Sequence, residues 1–363
     1  MSSEKVSALR LILGGSRFNL LLLAVPVSLF LGYATDNHLG AFAVAALAIL
    51  PLARLMGEAT EQLTRSVGSA LGAFLNATFG NATELIIALL AVRRGLFSLV
   101  KASITGSIIG NLLIVMGLAM LAGGWSRKKQ TFDRTAAGAN SAMLLLAVVA
   151  LVVPAVYDIT VFGRLETTGA VVEKLSLAVS LVLIATYILS LIFTFRTHKA
   201  PDNLSAVEPP EWTPAVAGGV LAATAVAIAL VSEVLVGAVE PAAKALGLTE
   251  LFVGVVIVAI IGNAAEHATA VQMAVKDKMD IALGIAVGSS IQIALFVAPV
   301  IVFAGWAMGK PISLVFTGFE IVAIALAVAI AALVSLDGES NWLEGAQLLA
   351  VYTILAIAFY FIP

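Results

Sequence analysis

Cysteine is absent from the 363 residues. Disulfides, thiolate metal sites and cysteine nucleophiles are therefore excluded. Three histidines, His38, His198 and His267, are too few for a multi-histidine zinc centre. Charge is scarce: 12% of residues are Asp, Glu, Lys or Arg, roughly half the usual share for a soluble domain. The net charge is −2, so nothing favours a nucleic-acid partner. The HExxH and G-x-S-x-G patterns of hydrolases are missing too, which leaves an intramembrane enzyme without a motif. No polar stretch is long enough for a soluble domain, and no cofactor motif is present.

What remains is apolar surface. Apolar residues make up 61% of the chain, too many for water to solvate and suited to membrane lipid. A spanning helix needs roughly 20 predominantly apolar residues. Eleven stretches qualify: 18–35, 39–62, 68–92, 102–124, 135–157, 174–195, 215–238, 250–275, 281–307, 312–336 and 343–362. Strand alternation is absent, and spanning backbone must satisfy its own hydrogen bonds, so the expected fold class is an all-α membrane protein. The first stretch has signal-like features: Lys5, Arg10 and Arg17 precede it, and Gly32 and Ala34 close it. Its apolar length and the bundle that follows favour a retained helix.

With the N-terminus inside, the inner segments hold thirteen basic residues and the outer ones seven. A cytosolic N-terminus is expected from that bias. The cluster Arg93, Arg94 and Lys101 is the main exception. Residues 196–214 form the longest polar break, with four prolines and mixed charge, and read as a cytosolic linker.

The chain is duplicated. Residues 80–84 read GNATE and residues 262–266 read GNAAE, an offset of 182. At the same offset Gly106–Ser107 falls on Gly288–Ser289, Ile109 on Ile291 and Arg94 on Lys276. A repeated match in the following helix makes chance a poor account. Without the first span, ten spans divide into two sets of five. An odd set places the second in the membrane upside down. The expected organisation is a tail and extra helix (1–36), a first five-helix repeat (37–195), the linker (196–214) and an inverted second repeat (215–363). This is the plan of secondary transporters, whose sites lie at mid-membrane between repeats.

Glu84 and Glu266 fall mid-span, where a charge costs about 2.5–3.5 kcal/mol on insertion scales. Two such acids related by the duplication point to an ion path. Asn81 and Asn263 stand three residues earlier, on the same face if the helix runs through. Gly80 and Gly262 loosen the helix and free carbonyls that could bind cations. On the partner helices stand Ser107 and Ser289, with Asn111 and Gln292 about a turn later; Gly106 and Gly110 would permit close approach. The donors are carboxylate, amide, hydroxyl and main-chain oxygen. Such a set suits Ca²⁺, Mg²⁺, Mn²⁺ or an alkali ion rather than copper or zinc. Two carboxylates neutralise one divalent ion or take up two protons, and carboxyls withdrawn from water hold protons more readily. The two fillings exclude each other, which is the coupling an exchanger needs. His267, adjacent to Glu266 and replaced by Leu85 in the first repeat, is a path-lining candidate. Glu58, Glu61 and Glu233 are candidates for an entrance. Glu320 is either a secondary site or a satisfied structural acid.

GNATELIIAL followed by KASITGSIIGNLL, and GNAAEHATAV followed by GIAVGSSIQIAL, resemble the two repeat signatures of the calcium/cation–proton exchangers. These belong to the superfamily that includes sodium/calcium exchangers. The resemblance runs from about residue 39 to the end. It implies one extra helix plus two inverted five-helix repeats, and Ca²⁺/H⁺ antiport with Glu84 and Glu266 as the central pair. Asn81, Asn263, Ser107 and Ser289 belong to the surrounding motif. Sodium/calcium exchangers carry a further acid or amide where this chain has Ile108 and Ser290, which favours protons as counter-ion. The linker offers only Asp202, Glu208 and Glu211, too few for the acidic helix of some members. The expected setting is a prokaryotic plasma membrane, with homo-oligomers left open. Na⁺/Ca²⁺ or Mn²⁺/H⁺ exchange and a cation channel are the competing functions. A pore usually lies on an oligomer axis, so a duplicated site within one chain argues against a channel.

Overall fold

The computed structural model describes residues 17–67, 75–76, 78–163, 165, 169–196 and 210–362. Most of the expected linker (197–209), the tail before residue 17 and the start of the third span lie outside the described residues.

The regular structure of the described chain is helical apart from a two-residue antiparallel pairing of β1 (Gln130–Thr131) with β2 (Glu339–Ser340). Among the described residues seven helices are long and apolar enough to cross a membrane, and a bent pair counted as one span makes eight. Leu20–Ala34 and Gly318–Val334 are apolar but shorter. The count of eleven therefore stays an expectation, while the all-helical membrane fold is plain. Leu181, Leu189, Val153 and Leu145 remain exposed, as lipid-facing side chains do.

The chain forms two compact units, each drawing on both halves of the sequence. The first comprises Met1–Leu90 and Phe195–Leu246. It holds α1 (Ala24–Ala34), α2 (His38–Val67), most of α3 (Ala82–Arg94) and α8 (Pro214–Leu246). Among larger side chains such as Phe42, Ile49 and Met56, the buried face of α2 intersperses Ala41, Ala45, Ala48, Ala53 and Ala59. Such small side chains let α8 lie close along it. On α1, a Cβ at Gly32 would come within 2.5 Å of Val234 on α8. Before α8, the N–H groups of Glu211 and Trp212 donate to Gln62 Oε1 on α2, at 2.9 and 3.3 Å.

The second unit comprises Ala91–Thr194 and Gly247–Pro363. It begins with the end of α3, then α4 (Phe97–Ile109), a wide-turned segment π1 (Gly110–Val115) and α5 (Met116–Gly124). After β1 come α6 (Arg134–Phe162) and α7 (Ala170–Arg196). Its second stretch runs through α9 (Glu250–Phe252), π2 (Val253–Val258), α10 (Ala259–Gly262) and α11 (Ala264–Val275). Next are α12 (Met279–Gln292), π3 (Ile293–Val297), α13 (Ala298–Ala307), α14 (Gly318–Val334), β2 and α15 (Trp342–Phe361).

The duplication reappears in the backbone. π1 and π3 occupy matching places in the two halves, directly after α4 and α12. In each the following N–H reaches back five residues, Met116 to Asn111 and Ala298 to Ile293. Ser290 Oγ touches the carbonyl of its own sequence equivalent, Ile108, at 3.4 Å. Equivalent positions meet only where a two-fold axis passes between them, as inverted repeats require.

Several expected boundaries move, and two of the shifts relocate candidate charged residues. The fourth span starts at Phe97 rather than 102, so Lys101 is inside a helix and 8% exposed. It leaves the outer-loop tally, reducing the dissent from the charge bias. Span ten becomes helical only at Gly318, not 312. The stretch before it is apolar enough to read as membrane helix, yet it is held as non-helical chain. Leu314 N–H donates to Ser176 Oγ (3.0 Å), and Lys101 Nζ donates to Val315 O (2.7 Å) and Ser313 Oγ (3.2 Å).

Candidate cation-binding site

In the second unit the eighth span breaks. The axes of Glu250–Gly262 and Ala264–Val275 diverge by 58°. The break falls at Asn263, whose φ of −94° and ψ of 13° lie outside the helical well. Asn263 and Glu266 therefore do not share one continuous helix face, as the spacing alone suggested. Glu266 stands instead in the first turn of α11, where exposed N–H groups and the helix dipole favour negative charge.

The Asn263 side chain turns away from α11 toward α4 and π1. Its Nδ2 donates to Ser107 Oγ (2.9 Å) and to Ala259 O (2.8 Å), and its Oδ1 accepts from Asn111 Nδ2 (3.1 Å). All three side chains are buried. Asn111 Oδ1 has no hydrogen-bond partner, and neither has Glu266 Oε2 or His267 Nε2. Buried polar atoms are nearly always paired, so these are positions where an ion, water or proton can bind. Gly106 sets the spacing: a Cβ there would run into the Val255 carbonyl of π2. Gly110, expected to serve the same end, has open space beside it.

In the first unit the pattern repeats. Gly80 N–H still bonds to Asn76 O (2.8 Å), so a helical turn ends there. Gly80 and Asn81 form a turn, and Glu84 stands in the first turn of α3. Asn81 is 1% exposed, Thr83 4% and Glu84 6%. Thr83, next to the acid, was not singled out from sequence, because Ala265 holds the equivalent position and duplication cannot flag it.

The remaining candidates sort themselves. Ser289 is buried on α12, and Gln292 ends that helix half-buried. Ser290, one residue on, makes the contact across to α4. Glu233 is half-buried on α8. Glu58 is half-buried on α2, with Arg54, Glu211 and Glu61 as charged neighbours. Glu61 is exposed and pairs with Arg65 at 2.7 Å. Glu320 is 1% exposed and, with α14 starting at Gly318, sits in a first turn rather than eight residues into a span. Its Oε2 accepts from Thr317 N–H (2.9 Å) and Thr317 Oγ1 (2.8 Å), and its Oε1 from Thr105 Oγ1 (3.1 Å). That is a capping box with both carboxylate oxygens occupied. Among the described residues no three His, Asp or Glu side chains gather into a cluster able to hold a metal ion.

A spanning helix that breaks at Asn263, and a matching turn at Asn81, each followed by a glutamate with a buried carboxylate oxygen in the next first turn, fit a secondary transporter of the inverted-repeat class. A sequence model of the sodium/calcium exchanger protein family matches residues 37–196 and 216–361. The chain belongs to that family, and the resemblance to its calcium/cation–proton exchangers is borne out. It is 48% identical to a Ca²⁺/H⁺ antiporter of Aphanothece halophytica, over 94% of this chain and 96% of that one. It is 46% identical to the Ca²⁺/H⁺ antiporter ChaA of Bacillus subtilis strain 168, over 88% and 91%. The solved structure of native YfkE superposes with a TM-score of 0.84 at 41% identity, covering 96% of this chain and all of that one.

Proposed function

We propose that this protein exchanges Ca²⁺ for H⁺ across a membrane by alternating access, with Glu84 and Glu266 binding either the metal or protons. The observation that carries this is the twice-repeated placement of a glutamate with a buried carboxylate oxygen in the first turn after a helix ends. A carboxylate there is held in place by the helix end that favours its charge. The preceding half-helix ends with carbonyls that have no partner further along the helix, at Gly80 and Gly262, and these are hard ligands for Ca²⁺.

Asn81 and Asn263 fix each break. Ser107 and Asn111 hold Asn263 from the neighbouring helix; Ser289 is the counterpart of Ser107 in the second repeat, and Gln292 stands one position before the equivalent of Asn111. His267 lines the path beside Glu266. Glu58, Glu61 and Glu233 gather cations at an entrance. The repeats span 37–195 and 215–363, with residues 1–36 as the added tail and helix. The setting is a prokaryotic plasma membrane with the N-terminus in the cytosol.

Two carboxylates cannot hold Ca²⁺ and two protons together. Each crossing therefore carries one cargo or the other, and a proton gradient drives Ca²⁺ uphill. Proteoliposomes free of Na⁺, with an acid interior and trace external Ca²⁺, test this. Ca²⁺ should accumulate above its external concentration and discharge when the pH gradient is collapsed. Accumulation that requires Na⁺ would reject the counter-ion, and preferential accumulation of Mn²⁺ would reassign the metal. Equilibration without accumulation would mark a channel.

A further inference from the structure

The two glutamate-bearing helices end alike, and each end is closed by a basic side chain from the opposite repeat. At the end of α3, Gly95 N–H bonds to Val92 O and Leu96 N–H to Ala91 O, both at 2.9 Å. At the end of α11, Asp277 N–H bonds to Ala274 O (3.0 Å) and Lys278 N–H to Met273 O (2.9 Å). Every one of these residues matches its counterpart at the 182-residue offset. The turn requires a left-handed residue, supplied by Gly95 (φ 79°) and by Asp277 (φ 60°), as helix C-termini commonly do.

This closure does not use the carbonyls of Arg93 and Val275, which are themselves equivalent. A cation takes each. Lys310 Nζ, after α13 of the second repeat, donates to Arg93 O of the first at 2.6 Å. Arg127 Nη2, after α5 of the first repeat, donates to Val275 O of the second at 3.0 Å. The donors lie 183 positions apart and follow equivalent glycines, Gly123 and Gly305. Arg127 also bonds to Gly123 O (2.5 Å) and pairs with Asp277 (3.4 Å), and Gln130 Nε2 donates to Ala274 O (2.9 Å). A cation at a helix C-terminus meets both unpaired carbonyls and the negative end of the dipole.

We propose that Arg127 and Lys310 are reciprocal positioning residues. Each fixes the outer end of the helix whose first turn carries the other repeat's glutamate, and so sets the depth of that carboxylate. In its transport arm the inference rests on the exchange function proposed above. Neither residue touches the ion. Loss of the cation lets the helix end fray and its first turn drift, which weakens Ca²⁺ binding without removing a ligand.

The test is R127M and K310M in the full-length chain, with R127K and K310R as rescues and Lys128→Gln as a neighbouring-charge control. Amide hydrogen exchange is read in the purified protein, and Ca²⁺ KM and maximal rate in proteoliposomes. R127M should speed exchange in residues 270–276 and leave 88–94 unchanged, and K310M should do the reverse. Each should raise KM by about three- to tenfold, the size of one charge–helix-end interaction, with maximal rate per folded transporter little altered. The charge-conserving variants should restore both readouts, and Lys128→Gln should move neither. Unchanged exchange at the helix ends, or a fall in rate at constant KM, overturns the proposal. So does an equal effect from Lys128→Gln. If the wild type shows no proton-driven Ca²⁺ uptake, the exchange function fails, and the hydrogen-exchange arm still decides whether the caps exist.

Discussion

Glu266 and Glu320 are acids of the same unit with opposite fates. Both oxygens of Glu320 are occupied by Thr317 and Thr105, whereas Glu266 Oε2 is buried with no donor. A satisfied carboxylate is part of the frame, and an unsatisfied one is available to an ion. Glu320→Ala should therefore lower stability by about 1–3 kcal/mol, through a lost cap and stranded hydroxyls. Thermal denaturation in detergent reads that loss, while the Ca²⁺ KM of the surviving protein stays near wild type. Glu84→Gln and Glu266→Gln should do the reverse: each abolishes exchange in a protein that elutes and melts as a folded species. Residual Ca²⁺ transport in either would remove that carboxyl from the site. Asn263→Ala strands Asn111 and Ser107 in a buried place and should fail on both counts, losing about 1–3 kcal/mol together with transport.

At the scale of elements, the site was more legible than the helices that carry it. The pair of GNA[T/A]E motifs and the matching Gly-Ser pairs are short, polar and repeated, so they stand out against an apolar background. The point where each span breaks did not stand out. Asn263 and Glu266 are spaced for one helix face, and only the backbone reveals the 58° bend between them. Residues 310–317 were hidden for the opposite reason. Ile312, Leu314, Val315 and Phe316 are buried and apolar, so composition matches a membrane helix. Their backbone partners are the side chains of Lys101 and Ser176, more than a hundred residues away in the chain. Lys101 itself was mistaken for a loop charge because nothing nearby in sequence announces its partners. Gly106 was legible as a contact glycine and Gly110 falsely so; the distinction is the Val255 carbonyl, on a segment whose wide turn has no sequence signature. Gly106→Ala should consequently cost about 1–3 kcal/mol as an overpacked contact with backbone, while Gly110→Ala should be tolerated. Melting temperatures of the two variants, measured side by side, separate them.

For the whole molecule, two compact units are each assembled from both sequence halves. Cargo exclusion has a consequence that no single residue shows. If one Ca²⁺ displaces two protons, apparent Ca²⁺ affinity must fall as the solution is acidified through the range where the carboxyls take up protons. It must plateau above that range, where no proton remains to be displaced. The direct measurement is proton release on Ca²⁺ binding, recorded in weakly buffered detergent solution of the purified protein. At a pH where both carboxyls are protonated, Ca²⁺ should expel close to two protons per ion. Release should fall to about one or fewer in Glu84→Gln or Glu266→Gln. Saturable Ca²⁺ binding that expels no protons from the wild-type protein would contradict the account.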